Sequence, residues 1–551
     1  MPDSAPPDGS ARGADVFSHQ LNRRSFLVAT GAVGLTAAVR PTRLFASRAL
    51  RNAAQTLTIA VPNAPASWDQ DYVAFDLTAL ALEKNYYPYM VNYGVKTLAG
   101  AQVQNTGQVL PVFADSWTAN ADQTVWTLKV KKGITFPSGN PLTAADVKWS
   151  KDRAFAAKAN VAGVYALIGL TEPGQVKQLD DYTVQFTQSY PSALSSAIQV
   201  ISLYVFDSKL MMSHATSADP WAKQWASQNP TSGGVFNVTA HSESAIALTA
   251  NTQFPSSPKP AVQTVNLQVT PSSADQRLEL QNGAIDIATG LSSQDIRSLK
   301  GVSGVNVLGG PNNAFNFLAM DVTHPPFNNV KVRQALAWAI PYQPLLTTVY
   351  GGEARLSTSI VPLDMPGSSP IGYPYSYNPT KAKALLKAAG MSSGLSAQLV
   401  ISEGDPDQQQ IAILIQNALK QVGVNVSIEP LDPATLNTGR ENKTIRMQLG
   451  NGQYWVNDVQ YMVGTSLIPG GYLNYSNYSN PAITKLYNQS AHTADQAKRL
   501  GYFHQMQVIL GQDVPWLMLG QPNFALPVRT SVTGWVQPVD GLFRLQYLKN
   551  A

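Results

Sequence analysis

The body of the chain opens with alternating apolar and polar positions. Leu57, Ile59 and Val61 alternate with Thr58 and Ala60, predicting a strand. Trp126, Leu128 and Val130 repeat the pattern, and Lys131-Lys132-Gly133 turns the chain toward Ile134-Thr135-Phe136. Tyr182, Val184 and Phe186 predict a further strand. Thr143, with Asp146 three residues on, marks a capped helix start. In the second half the period becomes helical. Val332, Ala335, Leu336, Ala339 and Ile340 share one face. So do Ala382, Leu385, Leu386 and Ala389, with Pro379 at the start of that helix and Gly390 just past its end. The cleanest stripe is Ile411, Leu414, Ile415, Ala418, Leu419 and Val422. Gly423 stops it, and Val424, Val426 and Ile428 alternate as the next strand. Leu500, Phe503, Met506, Ile509 and Leu510 mark a late helix that ends near Pro515. Helix–glycine–strand units of this kind predict α/β domains.

The length of 551 residues implies two or three such domains. A net charge of +5 suggests a basic surface, but its location removes that suggestion. Residues 1–54 hold seven Arg, no Lys and three Asp, so about +4 of the charge sits there. The same region contains Asn22-Arg23-Arg24-Ser25-Phe26-Leu27, followed by a weakly apolar run to Val39 and then Arg40 and Arg43. Paired arginines before a short, diluted apolar run read as a twin-arginine export signal. Ala46 and Ala54 are both candidate final residues of the leader. The remaining chain is near neutral, without a basic stripe or RNA-binding aromatic motif, so nucleic acid is not an expected partner.

The absence of cysteine excludes disulfides, thiolate chemistry and lipid attachment through an N-terminal Cys. The six histidines (19, 214, 241, 324, 492 and 504) are scattered, with no metal-ligand spacing. There is no nucleophile elbow, phosphate-binding loop or dinucleotide fingerprint. No cofactor, metal site or catalytic residue is expected. A secreted hydrolase working through two distant carboxylates leaves no local spacing, so it stands as the last-ranked alternative.

Several segments, in order, resemble one family. Leu110 to Trp117 is similar to its entry motif, and the stretch from Val130 to Ser150, VKKGITFPSGNPLTAADVKWS, to its next block. Leu280 to Ala288, Pro325 to Leu336, Tyr377 to Leu386 with Gly390, and Tyr478-Ser479-Asn480-Pro481 match further motifs. The chain thus resembles the family 5 extracellular solute-binding proteins of ABC importers, the oligopeptide, dipeptide and nickel type. Motif departures at Pro137-Ser138, Ser232–Phe236, Pro341-Tyr342 and Tyr461 mark it as a divergent member. Asp146, Gly283 and Arg333 are read as structural parts of their motifs.

The resemblance implies a type II (cluster C) periplasmic-binding fold: two α/β lobes with a hinge and an extra N-terminal domain. The expected divisions are 1–54 leader; 55–90, 180–305 and 520–551 lobe I; 91–179 extra domain; and 306–519 lobe II. It also implies a monomeric periplasmic or extracellular receptor that hands a solute to a membrane permease. An oligopeptide is the first expectation and an oligosaccharide the alternative. In peptide-binding members a Trp-x-x-Asp segment lines the cleft and its Asp meets the ligand's ammonium. Trp455-Val456-Asn457-Asp458 stands at that place, so Asp458, Trp455, Tyr454 and Asn457 are the expected ligand contacts. Tyr72 and Phe75, from the aromatic cluster at 72–93, are added as flat faces. For the leader, replacing Arg23 and Arg24 together by lysine should abolish export through the twin-arginine translocase, read by fractionation of the host. Undiminished export would assign the leader to the Sec route.

Overall fold

A computed structural model describes residues 55–73, 76–98, 100–493 and 495–550. The leader reading concerns residues outside this set. The first lobe is built on a seven-stranded sheet. Its order is Val305–Gly310, Phe524–Arg529, Ile287–Ala288, Thr56–Val61, Thr264–Val269, Ala245–Ala250 and Phe236–His241. Thr56–Val61 lies parallel to both Thr264–Val269 and Ile287–Ala288. Both of its faces are covered: Leu57, Ile59 and Val61 enter the main core, while Ala60 meets Leu280, Ile285 and Leu299. Burial on both faces is characteristic of parallel strands sandwiched by helices.

The second lobe carries a six-stranded sheet ordered Ala354–Arg355, Trp516–Pro522, Ala314–Met320, Met447–Gln453, Leu395–Ser402 and Val424–Leu431. Period-2 alternation divides its side chains. Phe315, Phe317, Trp516 and Met518 join the main core. Leu318, Met320, Leu517 and Leu519 meet a separate core with the helices Val330–Ala339, Tyr342–Tyr350 and Pro406–Lys420. The stripe predicted around Ile411 is the buried face of Pro406–Lys420, and Gly423, at φ +86°, releases the chain into Val424–Leu431.

The chain crosses between these two sheets twice. Residues 311–313 lead from Val305–Gly310 to Ala314–Met320, and Asn523 alone joins Trp516–Pro522 to Phe524–Arg529. The divisions expected at 305/306 and 519/520 therefore cut through strands. The crossings are short, a turn at Pro311-Asn312-Asn313 and the single residue Asn523, so they leave little in the sequence to set the division by. A four-stranded antiparallel sheet, Ala114–Ala119, Val125–Val130, Thr183–Thr187 and Val176–Asp180, forms the extra domain with the helix Ala144–Ala156 against it. Its strand Thr183–Thr187 lies past the expected limit of 179. Thr143 and Asp146 behave as the sequence predicts: Asp146 accepts from the Thr143 backbone at 2.8 Å, and its other oxygen accepts from Ser208. Arg333 and Gly283 are structural as well. Arg333 donates to the carbonyls of Asp513 and Phe327, and Gly283 ends its helix at φ +76°.

One buried ion cluster ties the extra domain to the first lobe. Arg153, on Ala144–Ala156, has a side chain 0% exposed. It donates to both oxygens of Asp69, at 2.9 and 2.5 Å, and to Asp71 at 2.5 Å. Tyr204 donates to the other Asp71 oxygen at 2.6 Å. This holds the segment that follows the first strand. Replacing Arg153 by Met strands two buried carboxylates, and removing one partner of a buried pair costs about 3–5 kcal/mol. The urea midpoint of Arg153→Met should fall accordingly. A midpoint within error of the wild type would show that the cluster does not hold this segment.

Candidate functional site

Each parallel strand of the two lobes runs into a helix, and a short polar side chain caps that helix. After Thr56–Val61, Asp76 accepts from the amides of Thr78 and Ala79. Ser272 caps the helix after Thr264–Val269, and Ser292 the one after Ile287–Ala288. In the second lobe Asp405, Asp432 and Asp458 cap the helices after Leu395–Ser402, Val424–Leu431 and Met447–Gln453. These caps satisfy backbone donors that a helix cannot pair internally. Ligand sites in open α/β sheets lie beyond the carboxyl ends of parallel strands, which makes these strand ends the candidate site. The two lobes also touch there, where Ser293 donates to Asp407 at 2.6 Å.

A polar network lies where residues 311–313 enter the second sheet. Asn313, nearly buried, donates to the carbonyl of Tyr454 at 2.9 Å. Arg355 donates to Asp364 at 2.8 and 2.5 Å and to the carbonyl of Asn312 at 2.9 Å. Asn457 donates to the carbonyl of Asp364 at 3.1 Å, closing the ring back to the Trp455 turn. The side chains of Arg355 and Asp364 are 31% and 45% exposed, so the pair is within reach of solutes. Unused valences converge here: the Asn312 amide nitrogen, the Asn313 amide oxygen and Arg355 Nε have no partner among the described residues.

The expected site residues divide. Asn457 belongs to this network, and Trp455 is half-buried beside it in the same turn, packed against the core edge. Tyr454 is a support: it is 2% exposed, stacks on Phe315 at 4.9 Å and shares a hydrogen bond with Ser466 at 3.1 Å. Asp458 caps Val459–Ser466 by accepting from Gln460, and both its oxygens accept from Arg499 at 3.0 and 3.2 Å. Burial pushes its carboxyl above the ordinary aspartate range, while Arg499 pulls it back. Tyr72 turns toward the extra domain. Its hydroxyl donates to Ala157 and its ring lies under Lys223 at 3.7 Å. Phe75 lies outside the described residues.

Most of the aromatic richness around these segments is packing. Tyr86 and Tyr87 both donate to the carbonyl of Trp68, and Tyr475 lies parallel to Trp516 and Phe317. Sequence reasoning did not select Asn312, Asn313, Arg355 or Asp364. Its one available signal was Pro311-Asn312-Asn313, a turn between two strong strand patterns.

No helix among the described residues is long and apolar enough to cross a membrane. Residues 108–474 match the family described as bacterial extracellular solute-binding proteins, family 5 middle. The probable D,D-dipeptide-binding periplasmic protein DdpA of Escherichia coli K12 is 28% identical over 440 residues, spanning 77% of this chain and 81% of that protein. The glutathione-binding protein GsiB of Shigella flexneri serotype 5b (strain 8401) is 24% identical over 524 residues, spanning 92% of this chain and 97% of that protein. The fold matches the periplasmic binding protein DppA of Helicobacter pylori, solved with the peptide STSA. The TM-score is 0.80 at 21% identity, covering 90% of this chain and 98% of that one. With the family match spanning well over half of its length, this chain belongs to the family 5 bacterial extracellular solute-binding proteins, the solute receptors of ABC importers.

Proposed function

We propose that this receptor captures a short peptide between its lobes and delivers it, chemically unchanged, to a membrane permease. The carrying observation is the network of Asn312, Asn313, Arg355 and Asn457 at the strand ends, with valences left over on three of the four. Amide donors and acceptors match a peptide backbone, whose N–H and C=O groups both need partners in a closed cleft. The half-buried indole of Trp455 supplies apolar contact area for a side chain. The guanidinium of Arg355, 31% exposed beside Asp364, offers its remaining hydrogens to an acceptor oxygen of the peptide through a charge-assisted bond. The relatives named for dipeptides and glutathione support the same ligand class.

The first test is native mass spectrometry of the protein purified from its host. One peptide per chain, released intact on denaturation, is the expected result. A retained oligosaccharide would replace the peptide reading with the sugar alternative, and turnover of the released ligand would overturn the receptor reading. The second test is Arg355→Gln, assayed by calorimetry with the identified peptide. A charged hydrogen bond contributes about 1.5–3 kcal/mol, so affinity should fall roughly 10- to 100-fold. Unchanged affinity would remove Arg355 from the site.

A further inference from the structure

The helix Leu77–Tyr86 begins at the strand ends and carries Lys84 in its last turn, about 12 Å along the axis from the Asp76 cap. Lys84 is half-buried there and lines a small cavity with Tyr89, Asn92, Phe113, Arg544 and Gln546. Its Nζ donates to the carbonyl of Ile201 at 2.9 Å and sits 4.1 Å over the Tyr89 ring. It makes no ion pair among the described residues. The acids beside it have nothing to offer. Asp540, nearly buried, is bonded to Arg544 at 2.5 Å and accepts from the Leu542 amide at 3.1 Å. Glu83 is fully buried with both oxygens unpartnered, and burial pushes its carboxyl well above the ordinary glutamate range, so it is uncharged. Lys84 and Arg544 against Asp540 leave one positive charge in excess at this cavity. Burial pulls the Lys84 ammonium down, to about 7, and Asp540 only partly opposes it. A charge taken out of water is stable when it is paired, and this one has only a carbonyl and a ring.

Donors are also left over. Arg544 spends Nη1 on the Leu542 carbonyl and Nη2 on Asp540, and its Nε has no acceptor among the described residues. Asn92 accepts from the Tyr93 amide through its oxygen, and its amide nitrogen has no acceptor among the described residues either. The cavity holds about 20 Å³, room for one water-sized group and too little for a carboxylate or phosphate ligand. Half-buried Lys84, Asn92 and Val112 leave it open to solvent on one side.

We infer that this cavity is a halide site, in which one chloride ion is held by Lys84, Arg544 and Asn92. The ion pairs the charge that Asp540 leaves over, and it joins the last turn of the helix to the C-terminal segment. That segment also accepts from Gln453 of the second sheet, at the Val539 carbonyl and 3.1 Å, so the ion anchors a stretch of chain that touches both lobes. The site is separate from the strand-end network and does not rest on the peptide reading.

The test follows thermal unfolding of the full-length protein in sodium chloride against sodium gluconate at equal ionic strength, gluconate being too large for the cavity. The wild-type midpoint should rise with chloride and follow one-site binding to the folded state. Lys84→Met should weaken that binding about tenfold or more, and Asn92→Leu several-fold. A wild type with no chloride-specific rise would overturn the inference, as would an equal response in folded Lys84→Met. If Lys84→Met does not fold, Asn92→Leu decides in its place, and an undiminished response there overturns the site. Crystals grown in bromide give the direct readout. An anomalous peak within hydrogen-bond reach of Lys84 Nζ supports the site, and a cavity without one overturns it.

Discussion

A helix N-terminus presents backbone donors that must find acceptors, and this requirement organises the strand ends of both lobes. Six parallel strands deliver six helix starts, and each start is closed by an Asp or Ser at the cap position. The side chains that a motif search would single out as charged recognition groups are thereby occupied in holding helices. Asp76 also binds Asn63 and the amide of Ala66, and Asp405 accepts from Asn451. The groups that capping does not consume are amides in the crossing segment, an indole in the turn before a cap, and the accessible Arg355–Asp364 pair.

The same constraint explains why the crossing matters chemically. Residues 311–313 cannot pair with either sheet throughout, so their polar groups turn to one another's neighbours. The carbonyl of Asn312 accepts from Arg355, and the side chain of Asn313 reaches the carbonyl of Tyr454. The backbone that links the lobes is thus bonded to the residues that line the second lobe's strand ends. These bonds anchor the crossing segment to the second sheet.

Sequence patterning revealed what depends on short spacings. The stripe of Pro406–Lys420, the glycine stop at Gly423, the strand Val424–Leu431 and the Thr143–Asp146 cap all rest on neighbours within a few residues, and all appear in the structure. The family was legible for the same reason: its motifs are local caps and turns. The partner of Asp458 was not legible, because Arg499 lies 41 residues away on another helix. Nor was the distinction between Tyr454 as support and Trp455 as accessible face. Adjacent aromatics look alike in sequence, and only packing against Phe315 buries one of them. The crossings were misplaced by a few residues because strand propensity says nothing about which sheet a strand joins.

The extra domain is more than an appendage, because it grips both lobes by different means. On the first lobe the grip is electrostatic: buried Arg153 holds Asp69 and Asp71. On the second it is steric. A Cβ at Gly464 would lie 2.7 Å from the Tyr487 hydroxyl and 2.8 Å from Leu167, so a larger residue there would push both side chains aside. Tyr190 adds a ring contact to His492 at 4.2 Å on the same side. An ion cluster fixes distance and direction, whereas a smooth close contact permits sliding. The extra domain thus meets the first lobe through buried charges and the second through a close uncharged contact on the helix whose cap is Asp458.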